Sequence, residues 1–463
     1  MKPYELTLTA AAVEIRAGRL SPVELIDSVL DRIADTENTL HAFVCVVAEL
    51  ARNAAQAAAE EIAAGRYRGP LHGIPLGVKD LYDTAGVPST SGSKVRAGYV
   101  PDTNAVAVER LFAAGMVMVG KTHTHEFAYG VITPTSRNPW NPGHIVGGSS
   151  GGAAAAVASG ACMVGLGSDT AGSIRIPASL CGTVGLKPTY GRVSRRGVAL
   201  LAWSLDHVGP LTRNVRDCAL VLNAIAGFDR LDPACLDMPV PDYTTGLDQG
   251  ITGLRVGVPA NYFFDHVHDD VAAAVRHAIN VLQGLGAQVR EVTIPYTDAL
   301  AAVEFGILLP EASAYHQEWL RDKGDLYSPD VRLFLEMGEF VLATDYIKAL
   351  RVRTLIQQGW AAMFDDIDVL VSPSTPLAAP TVDTADAIWS DGTSENIVAA
   401  LIRLTLPANV TGLPALSMPV GFDGAGLPLG MQIMGRPFDE ATVLRVGQAY
   451  ETASDTVGRL AAA

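Results

Sequence analysis

"GLGSDTAGSIRIPASLCGTVGLKPTYGRV" (residues 165–193) is a stretch in which small residues precede one serine. Ala171 and Gly172 come directly before Ser173. Because these residues have little or no side chain, backbone N–H groups near the Ser173 hydroxyl can approach a bound atom closely. Such a loop suits an oxyanion hole, whose N–H donors stabilise the negative charge that forms when a hydroxyl attacks a carbonyl. The stretch therefore predicts a serine nucleophile, which in turn needs a base.

A second serine cluster lies upstream, in "GGSSGGAAAAVASG" (residues 147–160). A phosphate-binding loop is disfavoured because the Lys-Ser/Thr ending of a P-loop is missing. The spacing Gly147-x-Ser149-x-Gly151 fits the nucleophile elbow of α/β-hydrolases. A flexible turn before a buried, alanine-rich helix fits equally well. This cluster alone leaves the last two interpretations open.

The candidate base is a lysine, since none of the ten histidines lies in either serine segment. "GIPLGVKD" (residues 73–80) is a short apolar run, which predicts a buried strand with Lys79 near its end. Burial disfavours the charged form of a lysine and lowers its pKa. Lys79 would then supply a neutral amine that can accept a proton.

Strands and helices alternate in the rest of the sequence. "SPVELIDSVLDRI" (residues 21–33) starts with a capping box formed by Ser21 and Glu24, which predicts a helix. Residues 254–295 read as strand, helix and strand, and residues 416–435 as two strands joined by a glycine-rich turn. The pattern predicts an α/β fold with a large, mostly parallel or mixed twisted sheet covered by helices on both sides.

Taken together, "GVKD", "GGSSGG" and "GSDTAGSIRIPASLCGTVGLKPT" resemble the amidase signature family of serine hydrolases. The match is closest from about Gly120 to Arg213, and "NVTGLPALSMPVG" and "GMQIMGRPFDE" near the end of the chain resemble the family too. The resemblance implies one domain over residues 1–463. Its N-terminal helices would cover about residues 5–65, and its signature core about 70–215.

The resemblance also implies a role for each site residue. Ser173 corresponds to the nucleophile, Ser149 to a bridging serine whose peptide bond to Gly148 is cis, and Lys79 to the terminal acid/base. The implied supporting residues are Thr170, Ala171, Gly172 and Ser173, whose N–H groups form the oxyanion hole, and Ser150, Asp169 and Arg175, which hold the serines in place. Asp169 and Arg175 fit a purely structural ion pair equally well. Ala171 replaces a more usual glycine and would be strained if that position required a positive φ.

The implied substrate is a small-molecule amide or carbamate, hydrolysed through an acyl-enzyme without a cofactor or metal. Anilides, primary amides, esters and urethanes all offer a carbonyl to the same three residues. Tyr129, Val131 and Ile132, with residues 303–319, are candidates for apolar pocket walls, and ordinary core packing explains them equally well.

The composition limits the kinds of binding partner and the cell compartment that we expect for this protein. The 463 residues carry a formal charge of −15, which argues against direct nucleic-acid binding because phosphate contacts need a basic face. Five widely spaced cysteines, with no C-x-x-C pair, predict a reducing compartment. We expect a cytoplasmic protein with no membrane contact. The sequence does not fix the number of subunits, and a homodimer is one arrangement that it allows.

Two rival functions remain. His123-x-His125, with Glu126 or His144, has a spacing that metal-dependent amidohydrolases use on a strand. The chain also resembles the glutaminase subunit of tRNA-dependent amidotransferases in "GLKPTYGRVSR" and "RNPW". In that subgroup an acidic residue before "T-x-P-x-N" helps to hold the amino group of glutamine. Here residues 401–403 (Leu-Ile-Arg) precede "LTLPANVTGLP", and His125 stands where a second acid is usual. Both departures favour a free-standing amidase.

Overall fold

Helices and strands alternate along the computed structural model, which describes residues 2–462. The α-helices are α1 (Leu8–Arg16), α2 (Pro22–Leu40), α3 (Ala48–Ala63), α4 (Val106–Ala113), α5 (Gly151–Ser159), α6 (Arg175–Cys181), α7 (Val215–Ile225), α8 (Asp269–Gly284), α9 (Leu300–Lys323), α10 (Pro329–Gly338), α11 (Ala343–Met363), α12 (Ile397–Arg403), α13 (Leu406–Thr411) and α14 (Glu440–Thr452). The strands are β1 (Phe43–Val46), β2 (Pro75–Lys79), β3 (Val117–Thr122), β4 (Val164–Asp169), β5 (Val184–Lys187), β6 (His207–Thr212), β7 (Arg255–Pro259), β8 (Gln288–Val292), β9 (Val369–Pro373), β10 (Asp386–Ile388), β11 (Ser394–Asn396), β12 (Ala415–Phe422) and β13 (Pro428–Gly435). No helix in these residues is long and apolar enough to cross a membrane.

One large sheet runs through the molecule, with the strand order β1-β3-β2-β4-β6-β5-β12-β13-β9-β7-β8. Strand β2 pairs in parallel with β3 and β4, and β7 pairs in parallel with β8 and β9. The central pairs, from β4/β6 to β13/β9, are antiparallel, and so is the edge pair β1/β3. The predicted α/β fold class, with its large mixed sheet, is confirmed.

Both faces of the inner strands are covered. Every residue of β2, β4 and β6 is buried. Because successive side chains of a strand point to opposite faces, a strand that is buried along its whole length must be packed on both sides. This explains why these strands read in the sequence as continuous apolar and small-residue runs.

The helix cap and the two strand pairs that the sequence predicted are present in the structure. The Ser21 hydroxyl accepts from the Val23 N–H, and the Glu24 carboxylate accepts from the Ser21 N–H at 2.8 Å, which completes the capping box of α2. The β7-α8-β8 unit has parallel strands, and β12 and β13 form the predicted antiparallel pair. The single-domain organisation over residues 1–463 stays a prediction.

Helix α5 is built almost entirely from small residues because its surroundings leave no room for larger ones. All nine of its residues are buried. A β-carbon added to Gly152 would lie 2.5 Å from the backbone nitrogen of His123, closer than any real contact. The glycines after Ser149 therefore let the helix pack directly against the loop that follows β3, which brings the serine cluster next to the sheet.

Candidate active site

Lys79 is the last residue of β2 and is completely buried among hydroxyl groups. Its Nζ donates to Oγ of Ser149 at 2.7 Å and to Oγ of Ser150 and Ser168 at 2.9 Å each. Burial lowers the pKa of Lys79 to about 7, although the negative charge of nearby Asp169 opposes this shift. Near neutral pH the amine is therefore in both its charged and its neutral form.

The neutral amine has two N–H groups and one lone pair, so one of its three hydroxyl neighbours must donate to it. The Ser150 hydroxyl already donates to the Ser168 carbonyl at 3.1 Å, which leaves it as an acceptor from Lys79. The Ser149 hydroxyl makes the shortest of the three contacts with Nζ. Ser149 is thus well placed to pass a proton to Lys79.

Ser149 follows a cis peptide bond from Gly148, as the family resemblance implies. Its carbonyl accepts from the His125 N–H and from the Thr133 hydroxyl, both at 3.2 Å. The neighbouring Ser150 N–H donates to the carbonyl of Ser173 at 3.1 Å, which ties the two serine segments together. Among the hydrogen bonds of residues 2–462, none joins the hydroxyls of Ser149 and Ser173 directly.

The loop before Ser173 has its positive φ at Gly172, where it is +131°. Ala171 is not among the positive-φ residues of the described chain, so the strain considered for an alanine at this position does not arise. The Gly172 N–H donates to Asp169 Oδ1 at 2.9 Å. This amide is already engaged, whereas the N–H groups of Thr170, Ala171 and Ser173 have no hydrogen-bond acceptor among residues 2–462 and remain available for the predicted oxyanion hole.

Asp169 and Arg175 form a fully buried ion pair beneath this loop, with Nη2 and Oδ1 3.0 Å apart. Burial opposes ionisation of Asp169, but the charge and hydrogen bonds of Arg175 hold its pKa well below the usual range. Its other oxygen, Oδ2, accepts from the Ile174 N–H at 3.1 Å. The ionised carboxylate therefore fixes the backbone on both sides of Ser173.

Two of the three predicted pocket residues, Val131 and Ile132, lie against the serine cluster. A β-carbon on Gly148 would lie 2.8 Å from the carbonyl carbon of Val131 and 2.9 Å from the nitrogen of Ile132. Tyr129 stacks on Phe334 of α10, with ring centroids 5.4 Å apart, and is 6% exposed. This segment thus lies next to Gly148 at one end and contacts α10 through Tyr129 at the other, and its role as a substrate wall stays a prediction.

The histidines and the glutamate of the rival metal site do not form a set of metal ligands in the described structure. His123 and His125 lie beyond the end of β3, so the alternation of a strand does not direct them to one face. His125 Nε2 is 3.1 Å from Asp330 Oδ2, and Glu126 accepts from the Ser328 N–H at 2.8 Å. No three His, Cys, Asp or Glu side chains between residues 2 and 462 are grouped to hold a metal ion.

Several residues that sequence reasoning missed complete the site. Ser168 is the third hydroxyl around Lys79, and the Thr170 hydroxyl donates to Asp206 at 2.6 Å. Asn409 donates to Asp169 Oδ1 at 2.8 Å and accepts from Arg175 at 2.6 Å. Ser168 belongs to the same motif as Ser173, and Asn409 to the "TLPAN" stretch. The sequence thus marked both stretches without indicating the role of either residue.

Several known proteins are similar to this chain over almost its whole length. A family model described as "Amidase" matches residues 24–444. An "Amidase" of Pseudomonas putida is 52% identical over 450 residues, covering 97% of this chain and 96% of that protein. A glutamyl-tRNA(Gln) amidotransferase subunit of Roseiflexus sp. (strain RS-1) is 44% identical over 482 residues, covering 98% and 97%.

A solved structure shares the fold over nearly the whole chain. It is described as a bacterial aryl acylamidase of the amidase signature enzyme family, and it superposes with a TM-score of 0.89 at 27% sequence identity. The match covers 97% of this chain and 96% of that one. With the family model and the curated relatives, it shows that the chain belongs to the amidase signature family, hydrolases that act on amide C–N bonds.

Proposed function

We propose that the chain hydrolyses the C–N bond of a small-molecule amide through an acyl-enzyme on Ser173. One observation carries the proposal: a buried lysine with a pKa of about 7 donates to the Ser149 hydroxyl at 2.7 Å. A base works best when its pKa is near the working pH. Lys79 meets this condition only because it is buried.

The acylation step moves one proton along three residues. Ser173 Oγ attacks the carbonyl carbon of the substrate while its proton passes to Ser149 Oγ, and the proton of Ser149 passes to the neutral amine of Lys79. Lys79 then returns a proton through Ser149 to the leaving nitrogen, and the C–N bond breaks. Hydrogen bonds in such sites are often looser before substrate binds, so the Ser149–Ser173 contact belongs to the complex with substrate.

The second half of the reaction releases the acid. A water molecule takes the place of the leaving amine, gives a proton to Lys79 through Ser149 and attacks the acyl carbon. The bond between that carbon and Ser173 Oγ then breaks, and Lys79 returns the proton through Ser149 to Ser173 Oγ, which restores the starting state. The N–H groups of Thr170, Ala171 and Ser173 would hold the oxyanion in both halves. No step needs a metal or a cofactor.

The substrate class and its surroundings remain proposals. Tyr129, Val131 and Ile132 would favour bulky or aryl groups, and a carbamate or urethane offers the same carbonyl as an amide. The relationship to an aryl acylamidase is consistent with this choice. A cytoplasmic location and a homodimer stay predictions.

A second candidate is a glutaminase subunit of a tRNA-dependent amidotransferase, which the 44% identity to such a protein favours. The chain lacks the acid expected before "TLPAN". Arg403, which is there instead, donates to the His266 carbonyl at 2.8 Å and lies 3.6 Å from Glu395 Oε2. The Glu395 carboxylate faces the Arg403 guanidinium and is not free to hold an amino group, so we place this function second.

The test is release of 4-nitroaniline from a neutral acyl 4-nitroanilide by the purified chain alone, with EDTA present. We expect release by the wild type and none by Ser173→Ala. Loss of release in EDTA that added zinc restores would support the metal-dependent rival. Hydrolysis of glutamine but not of the anilide would support the second candidate.

A further inference from the structure

Within residues 2–462, the amine of Lys79 is surrounded by hydroxyl groups and forms no ion pair. Its hydrogen-bond partners are the side chains of Ser149, Ser150 and Ser168. A buried ammonium without a counter-ion in contact is costly unless each of its N–H groups finds an acceptor. The protonated form of Lys79 therefore depends on all three hydroxyls.

The Ser168 hydroxyl is the one of the three to which neither the mechanism nor the family resemblance gives a role. It is buried on β4, which pairs in parallel with β2, so the sheet itself brings it to the end of the strand that carries Lys79. Ser168 Oγ lies 2.9 Å from Nζ and makes no other hydrogen bond in the described chain. Whatever this hydroxyl contributes, it contributes through Lys79.

The direction of the Ser168 contact follows from the proton relay. The neutral amine of Lys79 has two N–H groups and one lone pair, and Ser149 must donate to the lone pair for the proton to pass. Ser150 accepts one N–H, because its own proton goes to the Ser168 carbonyl. The other N–H then has Ser168 Oγ as its acceptor. If Ser168 donated instead, Ser149 would have to accept from Lys79, and the relay would be blocked.

Protonation of Lys79 makes its contact with Ser168 stronger. The ammonium has three N–H groups, one for each hydroxyl, and a hydrogen bond from a charged donor is about twice as strong as one between neutral groups. Burial opposes the ammonium, whereas the negative charges of Asp169, at the end of β4, and Asp206, directly before β6, favour it. Neither carboxylate makes a hydrogen bond with Nζ in the part of the chain that the structure describes. The hydroxyls are thus the groups that hold the proton directly.

We propose that Ser168 is a positioning residue of the proton relay, which turns the lone pair of Lys79 toward Ser149 and stabilises the ammonium that forms when the proton arrives. Ser168 accepts from Lys79 in both states of the amine, so it serves the acylation and the release of the acid alike. It needs no contact with the substrate. The inference rests on the proposed function and adds a residue to the machinery of the same site.

The test is the pH profile of kcat/KM for a neutral 4-nitroanilide, measured with Ser168→Ala between pH 4.5 and 9.5. Losing this acceptor weakens the ammonium more than the neutral amine, so the break in the profile should move to lower pH. The difference between a charged and a neutral hydrogen bond corresponds to a shift of about 0.5 to 1 pH unit. The same loss should lower the plateau of kcat/KM about threefold to tenfold, because Lys79 becomes a weaker base.

Two further variants separate this role from a structural one. Ser168→Thr keeps the hydroxyl and suits a strand, so it should keep the break of the wild type. Ser372→Ala is the matched control, because Ser372 is a completely buried serine of β9 whose hydroxyl contacts only the Pro373 carbonyl, at 3.4 Å. It should change neither the break nor the plateau. A loss of stability alone would lower the amount of folded enzyme without moving the break.

Each outcome decides for or against the role of Ser168. A break that stays in place in folded Ser168→Ala overturns the inference, and so does a break that moves as far in Ser168→Thr as in Ser168→Ala. A Ser168→Ala chain that does not fold overturns it too, because the hydroxyl would then be needed for folding. If the wild type cleaves no anilide, the proposed function fails and the inference with it, whereas cleavage with an unmoved break overturns the inference alone.

Discussion

The pH dependence of amide hydrolysis follows from the state of Lys79. Only the neutral amine can take the proton that Ser149 passes on, so the rate should follow the deprotonated fraction of this residue. Burial lowers the pKa of Lys79 from 10.5 to about 7. A group with a lowered pKa loses its proton at lower pH than usual, so the active form should accumulate as the pH rises through 7.

The size of the effect can be worked out from this shift. With a pKa of about 7, half of the Lys79 amine is neutral at pH 7. An ordinary lysine would be neutral in only about 3 of 10,000 molecules at that pH. The buried position therefore raises the active fraction more than a thousandfold. Below pH 7 we expect kcat/KM to fall about tenfold per pH unit, and above pH 8 to be nearly constant.

The assay is kcat/KM for a neutral 4-nitroanilide between pH 5.5 and 9.5, because this constant reports ionisation of the free enzyme. Lys79→Met should be slow at every pH, without a break near 7. A control must show that the break in the profile does not come from Glu451, because burial raises the pKa of this residue to about 7 as well. Glu451→Gln should keep the break. A wild-type profile that is flat from pH 5.5 to 8, or one that still rises tenfold per pH unit at pH 9.5, would refute the reasoning.

Three further predictions concern the residues around Lys79. Ser149→Ala should lower kcat about 10²- to 10⁴-fold in initial-rate measurements, because the proton loses its bridge, and a rate near the wild type would rule out the relay. Gly172→Ala should lower both kcat and the melting temperature, since φ is +131° there, whereas Gly284→Ala, at the end of α8 where a β-carbon meets open space, should leave kcat unchanged and should not lower the melting temperature. Arg175→Met should lower the free energy of unfolding by about 3–5 kcal/mol in urea titrations because it leaves Asp169 buried without its cation, and a change below about 1 kcal/mol would contradict this.

Local patterns in the sequence were enough to predict much of the fold. The capping box of α2, the β7-α8-β8 unit and the β12–β13 pair are set by residues close together in the chain. The sheet order could not be found in this way. Strand β5 pairs with β12, some 230 residues later, and a short apolar run does not indicate which distant strand will lie beside it.

In the site, too, some contacts follow from local patterns and others depend on residues far apart in the chain. Lys79 and Asp169 end two neighbouring parallel strands, so their meeting at one edge of the sheet follows once β2 and β4 are known to pair. The contacts of Arg175 do not follow from any local pattern. Its guanidinium donates to the Thr405 carbonyl at 2.8 Å and to Gln432 at 3.1 Å, and both residues are more than 200 positions away.

Reacting groups and the walls of a substrate pocket differ in how well a sequence indicates them. Lys79, Ser149 and Ser173 can be found from the sequence because a reaction constrains their spacing to neighbouring glycines and strands. A residue that lines a substrate pocket has no such constraint, since its partner is outside the chain. Its position becomes known only when distant helices and strands are in place, as the contact between Tyr129 and Phe334 of α10 illustrates. The chemistry of this protein therefore follows from its motifs, whereas its choice of substrate depends on how distant parts of the chain pack around the site.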